Sequence, residues 1–174
     1  MAASAPRLRP ATVDDEWFLR EMVREAAHWR LPAHAPRPPL EEVLADSHVS
    51  RYVDGWGRPG DGGAVAVVGD TPVGACWLRL FGAEHHGWGF VSPDVPEISL
   101  AVAPAWRGRG VGGRLLAAAI EQARVLGYAA VSLSVEPDNL ARALYERAGF
   151  RRVAIVEGSW TMVVPLTPTP GADE

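Results

Sequence analysis

The chain has a single cysteine, Cys76, which excludes an internal disulfide and a cysteine-based metal cluster. Long apolar runs are missing too: the longest, Leu115 to Ile120, falls far short of the roughly 20 residues that a membrane span requires. Met1 to Arg7 lacks a secretory hydrophobic segment, so a cytoplasmic protein is expected. No lysine-rich run occurs, the arginines are spread out and the formal charge is −4, which argues against a nucleic-acid-binding surface. Internal repeats and low-complexity domains are absent. What remains is 174 residues, 48% hydrophobic and 22% charged, a composition suited to one globular domain with a full core. That domain is expected over residues 7–166, with a flexible start at 1–6 and a disordered tail at 167–174.

Taken in order, Leu8 to Ala11 reads as a short edge strand, and Thr12 or Asp14 can cap a helix running to His28. Phe18, Met22, Ala26 and Trp29 recur at helical spacing, which leaves Arg20, Glu21, Arg24 and Glu25 for the wet side. A proline-rich connector, Leu31 to Pro39, leads to a short helix expected from Leu40 to about Val49. Ala64 to Val68 and Val73 to Leu80 read as strands joined through Gly69-Asp70, a pair suited to a type II′ turn. Cys76, on the second of these, reads as a small buried apolar residue because no nearby motif supplies an activating base. Phe81 to Pro96 is a long loop, and its adjacent His85 and His86 have no second ligand motif, so no metal is expected. Glu97 to Ala103 and Ala130 to Val135 read as strands flanking a helix closed by Gly127, which makes a β-α-β unit with two parallel strands. A helix capped by Asn139 then runs to Ala148, Gly149 stops it, and strands follow at about Phe150 to Val156 and Trp160 to Leu166.

The stretch Arg107-Gly108-Arg109-Gly110-Val111-Gly112-Gly113 lies where the first strand of that unit meets its helix. The first amides of a helix have no intrahelical partner and carry partial positive charge, so they attract anions, phosphate above all. Each glycine there costs about 1 kcal/mol of helix stability relative to alanine, a sacrifice that a phosphate resting on bare backbone explains. Arg107, Arg109 and Arg114 add charge for hydrogen bonds to phosphate oxygens. A P-loop is excluded because Gly-Gly-Arg stands where Gly-Lys-Ser/Thr is required. Gly108, Gly110 and Gly113 do fit the dinucleotide pattern G-x-G-x-x-G, with Glu136 ending the next strand, but Ala103 to Arg107 intervenes between strand and helix.

A third reading rests on Arg107-x-x-Gly110-x-Gly112, preceded by Leu100-Ala101-Val102-x-Pro104, which resembles the acyl-coenzyme A signature of the GNAT superfamily of N-acetyltransferases. Asp138 to Phe150, with Asn139, Leu144, Tyr145, Gly149 and Phe150, resembles that family's second motif about forty residues downstream. Asn139 stands six residues before Tyr145, where the family pattern has seven. The resemblance implies an α/β (α+β) fold, a mixed and mostly antiparallel twisted sheet of about seven strands flanked by about four helices, with a splayed parallel central pair. It also implies acetyl-CoA as co-substrate and no metal, with the pyrophosphate on the amides of Arg109, Gly110, Val111, Gly112 and Gly113, and Gly108, Arg107 and Arg114 nearby. Backbone groups of Leu100 and Val102, beside Ala101, would pair with pantetheine as an added strand does, and Asn139 and Tyr145 would complete the donor site.

By the same resemblance Glu97 is the expected base and Tyr145 the acid that protonates the departing thiolate. An unshifted carboxylate is a weak base toward an amine, so Glu97 should act through water or in an apolar site that raises its pKa. Direct transfer in a ternary complex is expected, to a primary amine that no motif identifies: small amine, antibiotic and protein N-terminus stay open. Homodimers are common in the family, and no feature here demonstrates one. Two alternatives stand beside this reading: a non-catalytic acyl-CoA sensor or interaction module, and a small NAD-dependent reductase.

Overall fold

Two runs of small apolar residues pair as an antiparallel hairpin, β2 (Gly62–Val68) with β3 (Thr71–Arg79), in the computed structural model, which describes residues 5–167. Of the two turn residues only Gly69 has a left-handed φ, 59°, as a type II′ turn requires. β1 (Arg7–Pro10) adds to the outer side of β2 as an edge strand, and β4 (Glu97–Val102) pairs antiparallel with β3. β5 (Ala130–Val135), β6 (Arg151–Val156) and β7 (Ser159–Pro165) complete a seven-stranded sheet of order β1-β2-β3-β4-β5-β7-β6. Glu157 and Gly158, both with positive φ (50° and 84°), make the tight turn between β6 and β7. The expected termini fall largely outside the described residues, since neither 1–4 nor 168–174 belongs to them.

Helices cover both faces. α1 (Glu16–Ala27) buries Phe18, Leu19, Met22 and Val23 against Val65, Val67, Ala75 and Trp77. α4 (Val111–Val125) lies on the opposite face, where Val111, Leu115, Leu116, Ala119, Ile120 and Ala123 meet Ala64, Ala66, Cys76 and Leu78. α5 (Ala141–Arg147) joins that second layer through Tyr145. Gly127 (φ 83°) and Gly149 (φ 100°) end α4 and α5 as expected. Among the described residues no helix is long and apolar enough to cross a membrane.

Two sequence expectations need correction. The helix expected from Leu40 to about Val49 is broken into α2 (Leu40–Leu44) and α3 (Ser47–Ser50), which brings the α-helices among the described residues to five. The break follows from Asp46, whose backbone is extended and whose carboxylate accepts the His48 amide at 2.8 Å, capping a new helix instead of continuing the old one. Glu25, assigned to the wet side of α1, is 6% exposed, because the guanidiniums of Arg37 and Arg107 neutralise it there.

The parallel pair is the feature that positions the site. β4 and β5 share one register pair, Glu97 with Ser132, and the Ser132 amide donates to the Pro96 carbonyl at 3.0 Å. Beyond it the strands diverge. One parallel pair in a mostly antiparallel sheet, with a 3₁₀ turn (Pro104–Trp106) between β4 and α4, removes the frame that the dinucleotide alternative needs.

Candidate active site

Alternation along β4 puts Ile98, Leu100 and Val102 on the α4 face and Glu97, Ser99 and Ala101 on the α1 face. Hydrogen bonding alternates too: the Ala103 amide donates to Val73 on β3 at 2.8 Å, so the backbone groups of Leu100 and Val102 point the other way, into the opening beside β5. They have no ladder partner among the described residues. The result is an unpaired strand edge inside the sheet.

Glu97 stands where that opening closes. It is 3% exposed, and its Oε1 accepts the Tyr52 hydroxyl at 2.6 Å and the Gly89 amide at 3.0 Å, while Oε2 is buried with no hydrogen-bond partner. Burial pushes its pKa up to about 7, although both hydrogen bonds and the Arg51 charge pull the other way. A carboxylate so placed is half-protonated near neutrality and sits closer to an amine's basicity than an ordinary glutamate. The loop from Phe81 to Pro96 supplies the cover. The Trp88 amide donates to the Tyr52 hydroxyl at 2.8 Å, and the Tyr52 and Trp88 rings lie nearly parallel, 15° apart. A methyl group at Gly87 would overlap Glu97 Oε2 and the Tyr52 hydroxyl, and one at Gly89 would sit 2.5 Å from the Leu133 carbonyl carbon. These two glycines let the backbone lie directly on the carboxylate.

Tyr145 is 7% exposed on the other face, edge-on to Phe150, and burial with the nearby Cys76 raises its pKa, so it holds its proton at any ordinary pH. Cys76 is fully buried and burial raises its thiol pKa, consistent with an apolar core residue. Glu97 and Tyr145 thus lie on opposite faces of the sheet, the first on the α1 side and the second in the α4 layer.

At the glycine stretch Gly110 is the residue before α4, with φ 78°, a left-handed conformation that glycine adopts without strain. A methyl group at Gly108 or Gly110 would meet nothing within 4 Å, and at Gly112 it would meet Leu144 at an ordinary 3.6 Å. Left-handed φ values of 69° at Gly108 and 78° at Gly110 account for glycine at those two positions, whereas Gly112 has neither a left-handed φ nor a close contact that calls for it. The guanidiniums nearby are mostly engaged. Arg107 donates through Nε to the Val102 carbonyl at 2.9 Å and through a terminal nitrogen to Glu25 at 2.9 Å; Arg114 donates to the Pro6 carbonyl at 2.8 Å. Arg109 lies over the Trp106 ring at 4.9 Å. Asn139 caps α5, its side-chain oxygen accepting the Ala141 amide at 2.9 Å.

Tyr52, Gly87, Trp88 and Gly89 were not singled out from the sequence. Only the length of the 81–96 loop signalled function there. His86 of that loop is held locally, with its Nδ1 2.8 Å from the Gly87 carbonyl and its ring stacked on Phe90.

Residues 20–150 match the model of the acetyltransferase (GNAT) family. Mycothiol acetyltransferase of Thermobispora bispora is 35% identical over 136 residues, which cover 76% of this chain and 44% of that protein. The chain spans about half the length of the curated relatives it matches. The crystal structure of a ribosomal-protein-alanine N-acetyltransferase from Brucella melitensis superposes with a TM-score of 0.65 at 25% identity, covering 92% of this chain and 99% of that one. The PaiA N-acetyltransferase of Thermoplasma acidophilum, solved with coenzyme A, gives 0.67 at 16% identity over 94% of this chain and all (100%) of that one. With the splayed parallel pair, the glycine-started α4 and the match over most of its length, this chain belongs to the acetyltransferase (GNAT) family.

Proposed function

We propose that the protein transfers an acetyl group from acetyl-CoA to a primary amine by direct attack in a ternary complex. The observation that carries this reading is Glu97, a buried carboxylate with a pKa of about 7 at the closed end of an unpaired strand edge. In this reading the pyrophosphate rests on the first amides of α4, and the pantetheine amides pair with Leu100 and Val102 as an extra strand does. Acetyl-CoA supplies the thioester.

An alkyl ammonium with a pKa of about 10.4 must lose its proton before it can attack. Raising the carboxylate from 4.5 to about 7 narrows the gap for that transfer by about 3 kcal/mol, at 1.36 kcal/mol per pH unit. Glu97 takes the proton on the α1 face, directly or through a bridging water. The amine nitrogen bonds to the carbonyl carbon, the C–S bond breaks as the Tyr145 phenol protonates the departing thiolate, and the proton that the new amide nitrogen sheds passes to solvent, which returns one to the phenol. The Cys76 thiol, buried and held neutral, takes no acyl group. We take the setting to be cytoplasmic, which suits a free thiol.

The test combines binding and turnover. Coenzyme A, and not NADH, should raise the Tm, and acetyl-CoA should release thiol only when an amine acceptor from a screened panel is present. Glu97→Gln should lower turnover by about 10²–10⁴-fold, the usual range for a general base. Stabilisation by NADH alone, or a trapped acyl-Cys76, would overturn the reading.

A further inference from the structure

The buried Glu25 of α1 lies between two guanidiniums. Its carboxylate accepts Arg37 Nε at 3.0 and 3.1 Å, a terminal nitrogen of Arg37 at 3.0 Å and a terminal nitrogen of Arg107 at 2.9 Å. Each arginine also binds backbone: Arg107 holds the Val102 carbonyl at the end of β4, and Arg37 holds the carbonyls of Pro32 and Ala35 at 2.9 and 2.8 Å. One carboxylate therefore ties the last residue of β4, five residues before the glycine stretch proper, to the proline-rich connector 31–39.

The connector has a second anchor. Arg30, at its start, pairs with Glu136 and with Asp138 at 2.9 Å, just beyond the end of β5. Residues 30–37 thus run from the β5 side of the open end of the splay to the β4 side. The Arg30 anchor is solvent-exposed, 57% for its side chain, so it is weak and opens readily. The Glu25 anchor is buried on all sides but that of Arg107. A buried arginine–carboxylate–arginine triad is a poor source of stability, because well-packed apolar residues often do as well or better, and its best-attested use is to fix register.

We propose that Glu25 is a positioning residue that couples the donor loop to the connector. A donor resting on residues 109–113 restrains Arg107 at the head of that loop, and through Glu25 and Arg37 it orders residues 31–39 across the mouth of the splay, on the face where Glu97 awaits the amine. The inference rests on the donor site proposed above. Coupling of this kind is reciprocal, so an acceptor held under the connector tightens the donor by the same factor.

Amide hydrogen exchange with saturating coenzyme A tests it. In the unaltered protein, coenzyme A should slow exchange in residues 108–116 and also, by about fivefold or more, in residues 31–39. Arg37→Met lies outside the donor site and leaves Glu25 neutralised by Arg107; it should keep the slowing at 108–116 and lose the coenzyme A-dependent slowing at 31–39. Glu25→Gln, if it folds, should behave alike. Slowing at 31–39 that survives in Arg37→Met, or that is missing from the unaltered protein while 108–116 is protected, overturns the coupling. No slowing at 108–116 in the unaltered protein overturns the donor site itself, and the coupling with it.

Discussion

The Tyr52 hydroxyl donates to Glu97 across 45 positions of sequence at 2.6 Å, and accepts the Trp88 amide in turn. That bond favours the ionised carboxylate, so it lowers a pKa that burial raises. Tyr52→Phe should therefore push the Glu97 pKa higher. A hydrogen bond to a charged group is worth about 1.5–3 kcal/mol, which corresponds to a move of about one pH unit or more. In the pH profile of kcat/KM the ascending limb, near pH 7 in the unaltered enzyme, should move toward alkaline pH. An unmoved limb would mean that Tyr52 does not set the base.

Glu97 also makes stability depend on pH in an unusual direction for a carboxylate. Its folded pKa of about 7 lies above the ordinary 4.5, so between those values the folded protein binds more protons than the unfolded chain. Its contribution is fully present below pH 4.5 and is lost as pH rises through about 7. The loss amounts to about 3 kcal/mol. Glu97→Gln, neutral at all pH, should be more stable than the unaltered protein at pH 8.5 and should lose that advantage near pH 5. Denaturant melts at the two pH values measure it; an advantage independent of pH would contradict the assignment.

Gly112→Ala separates folding from binding. The added methyl group meets only ordinary contacts, and alanine gains about 1 kcal/mol over glycine within a helix. Thermal stability should rise slightly. The same methyl group crowds the surface where the pyrophosphate is proposed to lie, so the Kd for coenzyme A, measured by calorimetry, should increase at least tenfold. Equal affinity would remove the glycine argument for the donor site.

The two loop glycines should respond differently. At Gly89 a methyl group would press on backbone, 2.5 Å from Leu133 and 2.7 Å from the Ser134 nitrogen, so Gly89→Ala should destabilise the fold by at least the about 1–3 kcal/mol typical of overpacking. At Gly87 it would press on the movable tips of Glu97 and Tyr52. Gly87→Ala should leave the Tm nearly unchanged and lower kcat. The opposite ranking in a melt would show that the loop lies elsewhere in solution.

How much of this was legible beforehand depended on distance along the chain. The Arg-x-x-Gly-x-Gly stretch, the helix it opens, the capping Asn139 and the stop at Gly149 are local arrangements, each decided within a few residues by backbone freedom and hydrogen bonding, and they appear where the sequence implied them. Glu97 could be nominated from its place at a strand start. The degree of burial that raises its pKa could not, because that burial is complete only once Tyr52 and the 81–96 loop have folded over the carboxylate on the α1 face. Glu25 misled for the same reason: helical spacing put it among charged residues facing water, and only the remote Arg37 and Arg107 make its burial tolerable. The division of the 40–49 helix was readable in principle, since Asp46-Ser47 is a helix-start pair.

A sheet ordinarily leaves its unsatisfied amides and carbonyls along its two rims, where any passing polypeptide can add itself. Here β4 carries a further set in mid-sheet, roofed by α1 on one side and α4 on the other. Whatever pairs with this inner rim must lie between two helical layers, out of the water that wets the outer edges.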